Sequence, residues 1–531
     1  MTSTRTITRA PSRPFRGSAA RARNSPTLHV RASHALLLLI GTLFATRTAA
    51  FGFDDVARRA QQLSATAYKA PDKALPKALA QLGYDQYRDI RYRSDKNLWA
   101  DADLPFEIAF FHTGYHFDFP VRIHQVDAYG THDIEFQPSL FDYGANKLDP
   151  AALREGGFAG FRVHYAINTP RYKDEVLVFL GASYFRALGR GQIYGASARG
   201  LAVDTAVASG EEFPRFVEFW VVRPAVGARM LTIFALLDSP RVTGAYQFVL
   251  RPGIDTLVDV KARVFLRDNV AKLGLAPLTS MFYFGENQRS PNDDFRPEVH
   301  DSDGLSIHSA TGEWIFRPLT NPKRLLTSSF QLTDPAGFGL SQRDRNFDHY
   351  EDLEARYDKR PTVWIEPTHK WGSGRVELVE LPTPNEWNDN VVAFWVPAAM
   401  PAPKQPLDFA YRMSWQREPE TRSPQSWAVQ SRRGLGDAKE REGSIGFVVD
   451  FVGPALKDLP PDVRVDAIVS TNDNGKIREL VVHRNEVSGG YRVALRLQRA
   501  DADKPLELRL FLRSGDHTLS ETWSYLLPPE S

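Results

Sequence analysis

Residues 258–267, with the sequence VDVKARVFLR, decide the fold class. Apolar side chains stand at every second position from Val258 to Leu266, and charged residues or Phe265 stand between them. Since neighbouring side chains of a β-strand point to opposite faces, this pattern predicts a strand with one buried and one more polar face. Across residues 181–285 the apolar runs are short and end at Gly, Pro or Ser-Pro, which is typical of an all-β fold.

The C-terminal part of the chain continues this alternation beyond a polar segment. Residues 417–428 contain two prolines and no periodicity, which predicts a linker between an N-terminal domain (51–416) and a C-terminal domain (429–531). A strand is expected near Val429, and a hairpin turn at Asn472-Asp473-Asn474-Gly475. Alternating apolar residues predict six more strands, at 445–451, 463–469, 477–482, 491–497, 506–512 and 519–527. Seven strands in about 100 residues favour an immunoglobulin-like β-sandwich.

Two short helices are expected before the strands begin. Asp54 or Asp55 is suited to cap a helix, because apolar residues follow at helical spacing at Val56, Ala60 and Leu63. A second helix is predicted to run from Pro76 to Gly83.

The composition is that of a folded protein without cysteine. Of 531 residues, 42% are hydrophobic and 24% are charged, which excludes a disordered chain. The absence of Cys excludes disulfides and thiolate metal sites. Residues 1–50 hold eight of the 66 Lys and Arg residues and no acid, so 58 basic and 64 acidic residues remain, a balance of −6. This balance argues against a nucleic-acid-binding protein.

Residues 1–50 predict a secretory signal peptide. An Arg-rich stretch precedes the Leu-rich run 35–44, and Thr48-Ala49-Ala50 offers small residues for cleavage before Phe51. A helix over this run spans only about 15 Å, too short to cross a bilayer. A mitochondrial transit peptide has a similar composition, but the compact Leu run favours secretion. We therefore expect an exported protein that is not an integral membrane protein and that uses the general secretory route, since residues 1–50 contain no Arg-Arg pair.

Carboxylates and aromatic residues are concentrated between Tyr283 and Trp395. Sugars present hydroxyl groups that pair with carboxylates and C–H faces that stack on aromatic rings. Glycosidic bond cleavage also requires two carboxyl groups in opposite protonation states. The composition therefore indicates a carbohydrate-active site, although solvated loops can have the same composition.

Two acids in this region precede predicted strands. Asp301 stands in the segment HDS (300–302), and Asp389 closes the segment EWND (386–389). An acid at the mouth of a strand can project into a cleft, but a turn-forming aspartate is the alternative for both. His300 and His308 lack an evident third ligand, so no metal site is predicted.

Eight sequence words occur in order along the chain: LGASYFR (180–186), YGASARGLA (194–202), GEEFPRF (210–216), LLDSP (236–240), APLTSMF (276–282), HDS (300–302), GEW (312–314) and SETWSY (520–525). Through these words the chain resembles the periplasmic glucan biosynthesis protein family from Phe51 to its C-terminus. The general secretory signal is more like that of the G members of the family than that of the D members.

The resemblance implies a large N-terminal β-sandwich of the galactose-mutarotase-like supersandwich type, with a long cleft, and a C-terminal immunoglobulin-like β-sandwich. It also implies inverting hydrolysis of linear β-1,2-glucan without a cofactor. Asp389 is then the general acid, and Asp301 is the general base, acting through a water or hydroxyl relay.

Six further residues are expected to bind the glucan, although each can equally be part of the core. Aromatic platforms are expected at Tyr184, Tyr194 and Trp314, and a ligand for sugar hydroxyls at Arg199. Glu386 and Trp387 are expected to contribute as neighbours of the acid. Relatives commonly have a small residue in place of Trp387 and Gly in place of Asp344, so the indole can reshape or block a subsite. The loop 343–352 either closes over the substrate or is an exposed connection.

Two other functions remain open. The chain can be a non-catalytic glucan-binding or escort protein that works with the membrane glucosyltransferase of glucan synthesis and docks through its C-terminal domain. It can also be a transglycosylase on the same glucan.

Overall fold

The computed structural model describes residues 51–70, 75–435, 444–460 and 462–530. The predicted signal peptide, residues 1–50, lies outside the described residues. The helices are short: α1 Phe53–Ser64, α2 Lys77–Ala80, α3 Tyr84–Arg88, α4 Pro150–Arg154 and α5 Pro454–Lys457. Short 3₁₀ turns cover Ser94–Lys96, Ala100–Ala102, Pro138–Leu140, Phe347–His349 and Tyr357–Lys359.

Strands make up most of the regular structure, and the all-β prediction is confirmed. The first strands are β1 Arg91–Tyr92, β2 Phe106–His112, β3 Arg122–Asp127, β4 Gly130–Asp133, β5 Phe141–Asp142, β6 Phe158–Tyr165, β7 Asp174–Leu180, β8 Tyr184–Ala187, β9 Ser197–Arg199, β10 Ala202–Val203, β11 Arg215–Val222, β12 Leu231–Asp238, β13 Val242–Arg251, β14 Thr256–Leu266, β15 Leu273–Ser280 and β16 Phe282–Phe284. They are followed by β17 Val299–His300, β18 Gly304–His308, β19 Trp314–Pro318, β20 Leu326–Thr333, β21 Gly337–Ser341, β22 Thr362–Pro367, β23 Ser373–Glu380, β24 Val391–Pro397 and β25 Pro406–Gln416. The remaining strands are β26 Trp427–Gly434, β27 Ser444–Val452, β28 Asp466–Thr471, β29 Gly475–Asn485, β30 Gly490–Arg499, β31 Leu506–Ser514, β32 His517–Thr518 and β33 Thr522–Leu527.

Two large sheets enclose the main hydrophobic core. One has the order β2-β6-β7-β8-β9-β15-β24-β23-β20, and β10 joins it beside β15. The other has the order β28-β31-β33-β19-β18-β21-β22-β25-β14-β13-β12-β11-β3-β4, and β32 joins it beside β31. One continuous set of buried apolar side chains comes from both sheets, so they pack face to face as a sandwich.

Strand β14 contains the alternating stretch that predicted the fold class. Val258, Val260 and Val264 are almost fully buried in the main core, whereas Lys261 is exposed. Phe265, on the polar face of the pattern, is also buried, because helix α1 packs on the outer face of the sheet there. The alternation therefore predicted the strand, and the exception reflects a helix that covers part of its outer face.

Helix α1 forms where it was predicted, but its cap differs. Gly52, not Asp54 or Asp55, is the N-cap residue. The Asp55 carboxylate accepts a hydrogen bond from the Gly52 N–H at 2.8 Å, so the acid acts from inside the first turn. The helix predicted from Pro76 to Gly83 is shorter, since α2 ends at Ala80 and Gly83 caps α3.

All seven strands expected after residue 428 are present, within one to three residues, as β26 to β31 and β33. Strands β26, β27, β30 and β29 form a four-stranded sheet, whereas β28, β31 and β33 belong to the end of the larger sheet. A second set of buried apolar side chains joins the two layers. Because β33 pairs with β19 in parallel, this C-terminal sandwich continues a sheet of the main one.

The prediction of a hairpin at residues 472–475 is wrong, although the chain does turn there. Strand β28 pairs with β31 and strand β29 pairs with β30, so the turn carries the chain from one sheet to the other. The Asn474 side chain donates hydrogen bonds to the carbonyl groups of Asp501 and Lys504, at 2.9 and 3.0 Å. These contacts direct the turn toward the β30–β31 connection and away from a two-stranded hairpin.

In the part of the chain that the structure describes, none of the helices has the length and apolar character needed to span a membrane.

Candidate functional site

A cavity of about 860 Å³ lies among the loops that connect the strands of the main sandwich. Three segments supply most of its wall: 295–301, 351–360 and 386–389. Asp301 and Asp389 both line it. The structure therefore brings together the two acids that the resemblance assigns to the chemistry.

The end of β15 and the start of β16 explain why these distant acids meet. The Met281 carbonyl oxygen accepts a hydrogen bond from the backbone N–H of Asp301 at 2.8 Å. The next backbone N–H, that of Phe282, donates to the side-chain oxygen of Asn390, which follows Asp389, at 2.8 Å. One short backbone segment thus fixes the loop before β18 and the loop before β24 at the same cavity.

Asp301 is the buried member of the pair, with 5% of its surface exposed. Its carboxylate accepts a hydrogen bond from the guanidinium group of Arg360. Burial raises the pKa of Asp301 to about 6; the charge of Arg360 opposes this shift and the charge of Asp389 adds to it. A carboxyl group with this pKa is mostly ionised at pH 7 and is a stronger base than an ordinary aspartate.

Asp389 is the accessible member of the pair, since its side chain is 29% exposed. Nη2 of Arg186 lies 3.6 Å from Oδ2 of Asp389, as a loose ion pair at the cavity wall. The carboxyl group of Asp389 is therefore open to a bound ligand, whereas that of Asp301 is covered by protein.

Arg296 joins the three walls of the cavity. Its guanidinium nitrogens lie 2.9 Å from Asp294, 3.0 Å from Asp352 and 2.6 Å from Glu386. The Arg296 side chain is only 14% exposed, so these ion pairs are shielded from solvent. Glu386, expected from the sequence to bind substrate, lines the cavity with its carboxylate held by this arginine.

Large apolar side chains stand in solvent on the cavity wall. Trp387 is 83% exposed, Phe295 81% and Leu353 78%, and all three line the cavity. Clustered exposed apolar side chains typically mark a binding surface. The flat faces of Trp387 and Phe295 suit the C–H faces of sugar rings. Because so much of Trp387 is in solvent, little of its indole surface is buried against other residues.

The two tyrosines expected to bind glucan occupy neighbouring places. Tyr194 lines the main cavity, and Tyr184 lines a second cavity of about 540 Å³; Arg186 lines both. Arg199, expected to bind sugar hydroxyls, is 5% exposed, and its guanidinium lies 5.0 Å from the Tyr184 ring. An Arg199 nitrogen lies 2.5 Å from Glu211, so this arginine supports Tyr184 from the protein interior.

The structure does not bring Trp314 to this cavity. Its indole, on β19 of the larger sheet, stacks on His308 at 4.1 Å and on Trp364 at 5.6 Å. The two histidines considered for a metal have separate contacts, because His300 bonds to Glu298 at 2.8 Å while His308 is in this stack.

Three arginines of the site were not singled out by the sequence: Arg186, Arg296 and Arg360. A buried or clustered carboxylate requires a nearby positive charge. This rule predicts that such partners exist, but the sequence carries no signal that selects these arginines from the others, because the pairing depends on loops that meet only in the fold.

Comparisons with known proteins identify the family of this chain. The family model described as "Periplasmic glucan biosynthesis protein, MdoG" matches residues 51–527. "Glucans biosynthesis protein G" of Ralstonia nicotianae is 58% identical over 497 residues, covering 92% of this chain and 99% of that protein. The proteins of the same name from Pseudomonas aeruginosa and Serratia proteamaculans are 52% and 51% identical, over 91% and 92% of this chain and 93% and 95% of their own lengths. This chain belongs to the periplasmic glucan biosynthesis protein family.

Proposed function

We propose that this protein acts in periplasmic glucan biosynthesis as an inverting endo-glucanase on linear β-1,2-glucan. One observation carries the proposal: Asp301 and Asp389 line the same cavity in contrasting environments, one buried and one open. An inverting glycosidase requires two carboxyl groups at one cleft, one to protonate the leaving oxygen and one to activate water. The name of the relatives, glucans biosynthesis protein G, supports the substrate class.

Asp389 is the general acid in this mechanism. Its carboxyl group is accessible, so a glycosidic oxygen can approach to hydrogen-bond distance and receive the proton as the C–O bond breaks. The positive charge of Arg186, 3.6 Å from the Asp389 carboxylate, then stabilises the anion that proton transfer leaves.

Asp301 is the general base, and its burial explains the need for a relay. Covered by protein and paired with Arg360, it takes the proton of the attacking water through a second group. Tyr357 lines the same cavity, and the charges of Asp301 and Glu386 act on its hydroxyl group. Burial raises the pKa of Tyr357, so this hydroxyl stays neutral and can accept one proton while it donates another. Carboxyl groups of inverting enzymes are commonly separated by roughly 6.5–9.5 Å, and a relay permits a longer path.

The test is digestion of linear β-1,2-glucan by the purified protein, followed by separation of the products by size. We expect shorter glucans whose new reducing end first appears as the α-anomer in NMR spectra. Asp389→Asn should reduce product formation by at least about 100-fold, because the proton donor is lost. Asp293→Asn, which removes an exposed acid near the cavity, is the matched control and should retain activity.

The other candidate functions give different results in the same assay. Products that are cyclic or longer than the input indicate a transglycosylase. Glucan binding without any product, unchanged in Asp301→Asn, contradicts the hydrolase and indicates the escort role beside the membrane glucosyltransferase. Product release that is unchanged in Asp389→Asn removes Asp389 from the mechanism.

The proposal also includes the place of action. We place the protein in the periplasm, exported by the signal peptide of residues 1–50, in agreement with the description of its family.

A further inference from the structure

Three side chains with metal-ligating atoms meet beside the segment that carries Asp301. One ligand atom from each of Glu298, Asp344 and His349 lies within 4.8 Å of the other two. The side chains of Glu298 and Asp344 are 8% and 14% exposed, whereas that of His349 is 32% exposed. The group is therefore mostly shielded, and its histidine side gives access from solvent.

We propose that Glu298, Asp344 and His349 bind one divalent transition-metal ion of the Zn²⁺ type. Two carboxylates and an imidazole form a mixed oxygen and nitrogen set that suits Zn²⁺. Nδ1 of His349 and Oδ2 of Asp344 lie 2.5 Å apart in a direct hydrogen bond, and an ion bound at about 2.0–2.2 Å from each ligand would replace this bond. Ca²⁺ and Mg²⁺, which prefer oxygen ligands alone, fit this set poorly.

A small cavity beside Glu298 and Asp344 supports the proposal independently. It has a volume of about 30 Å³, and Glu298, Asp344 and Asp303 line it. Oδ1 of Asp303 is buried and has no hydrogen-bond partner among the described residues. Its other oxygen accepts from the backbone N–H groups of Arg343 and Asp344, at 2.6 and 2.9 Å. A buried carboxylate oxygen without a partner is destabilising, and this volume holds one water molecule or ion.

That cavity gives the ion its remaining ligand. A water molecule in it can coordinate the metal and donate a hydrogen bond to Oδ1 of Asp303, which then has a partner. Three protein ligands and one water complete the four-coordinate geometry that Zn²⁺ commonly adopts.

A neighbouring side chain already orients Glu298, one of the three ligands. His300 lies 2.8 Å from Glu298 and its other ring nitrogen lies 3.0 Å from Gln342. Such outer contacts hold ligands in place before an ion arrives, and they commonly change metal affinity by about 10–100-fold.

A bound ion would connect two parts of the glucan cavity. His349 ends the 3₁₀ turn Phe347–His349, two residues before the wall segment 351–360. Glu298 lies three residues before Asp301. The ion would therefore connect the wall segment to the loop that carries the buried acid, independently of which reaction the cavity performs.

The experiment titrates the EDTA-treated, dialysed protein with Zn²⁺ and with Co²⁺, using calorimetry and visible absorption. We expect one equivalent to bind, with a Co²⁺ absorption spectrum characteristic of nitrogen and oxygen ligands. Asp344→Asn and His349→Gln should each weaken binding by at least about 100-fold, because each removes a ligand. Asp348→Asn, an exposed acid in the same turn, is the matched control and should leave binding unchanged.

Two results would overturn the proposal. One is no saturable binding of either ion by the folded wild-type protein, which would leave the small cavity to water alone. The other is binding that persists unchanged in both Asp344→Asn and His349→Gln, which would place the ion elsewhere. Circular dichroism of each variant establishes that it is folded. His349 is more exposed than Asp344, so His349→Gln is the substitution with less effect on folding.

Discussion

At the scale of single residues, the burial of Asp301 makes it a stronger base and also destabilises the folded state. The pKa of Asp301 is raised to about 6 mainly because burial disfavours the charged carboxylate. Ionisation is therefore less favourable in the folded than in the unfolded protein. The folded state binds the proton more tightly, so stability falls as pH rises from the unfolded pKa of 3.8 to the folded value.

Asp301→Asn should therefore stabilise the protein while it stops glucan cleavage. Above pH 6 the gain in the free energy of unfolding should be up to about 3 kcal/mol, the equivalent of the pKa shift, because asparagine carries no charge to bury. The gain should become small toward pH 4 and disappear below the unfolded pKa of 3.8, where aspartate is protonated in both states. Urea unfolding of both proteins from pH 4 to pH 8 measures it. A variant that is less stable than wild type at pH 8 contradicts the prediction.

The sequence predicted the two acids but not their surroundings. Local pattern alone left Asp301 and Asp389 as possible turn residues, and only the resemblance assigned them roles. The Trp314 ring, expected to bind sugar, stacks instead on His308 and Trp364. Which aromatic faces a ligand depends on strands that come together only in the fold, so composition cannot separate platforms from packed rings.

At the scale of elements, strands were predictable but their partners were not. Period-two alternation identified β14 and the seven C-terminal strands because burial on one face leaves a direct trace in the sequence. Which strands pair with one another is less evident from the sequence. The turn at residues 472–475, for example, joins two sheets although its residues favour a hairpin. The arrangement of the cavity loops was equally hard to predict. Arg296 joins three of them by ion pairs that the sequence did not indicate.

Arg296→Gln should disturb the cavity more than the fold. Its loss leaves Asp294, Asp352 and Glu386 without their shared positive charge, so the loop that carries Asp389 should shift. Displacements of about 1 Å at a reacting group can reduce the rate by about 100-fold, and we expect a loss of this order in glucan cleavage with only a small decrease in Tm.

Matched variants distinguish this positioning role from a general loss of stability. Arg296→Lys restores the charge without the forked guanidinium and should recover part of the activity. Arg289→Gln, an exposed arginine on the same connection, should behave as wild type. If Arg296→Gln retains full activity, the arginine does not position the acid.

At the scale of the whole molecule, the two sandwiches are joined by shared structure beyond the predicted linker. The described residues between 51 and 530 form one compact unit, and β19 pairs in parallel with β33. Phe316, on β19, belongs to the hydrophobic core of the C-terminal sandwich. Arg343, at the start of the loop 343–352, lies with its guanidinium 3.7 Å from the Phe316 ring. The segment 417–428 remains a predicted linker, but the contacts that cross it indicate that the sandwiches stabilise each other.

The ion pair between Arg343 and Glu521 tests this coupling. Their side chains are 3% and 0% exposed, and the guanidinium nitrogens lie 2.6 and 3.1 Å from the carboxylate oxygens. Glu521→Gln should remove the main partner of the buried charge of Arg343 and lower the free energy of unfolding by about 3–5 kcal/mol. Glu479→Gln, whose side chain is 67% exposed in a surface ion pair with Arg496, should change it by less than about 1 kcal/mol.

The coupling also predicts how the Glu521→Gln protein unfolds. Because Arg343 belongs to the main sandwich and Glu521 to β33, both sandwiches should lose stability together, in one transition at lower denaturant concentration. Limited proteolysis with mass spectrometry, along the denaturant series, identifies which part of the chain opens at each step. Cleavage confined to the C-terminal sandwich, while the main sandwich keeps its wild-type midpoint, would show that the two fold independently and that the shared sheet does not carry stability between them.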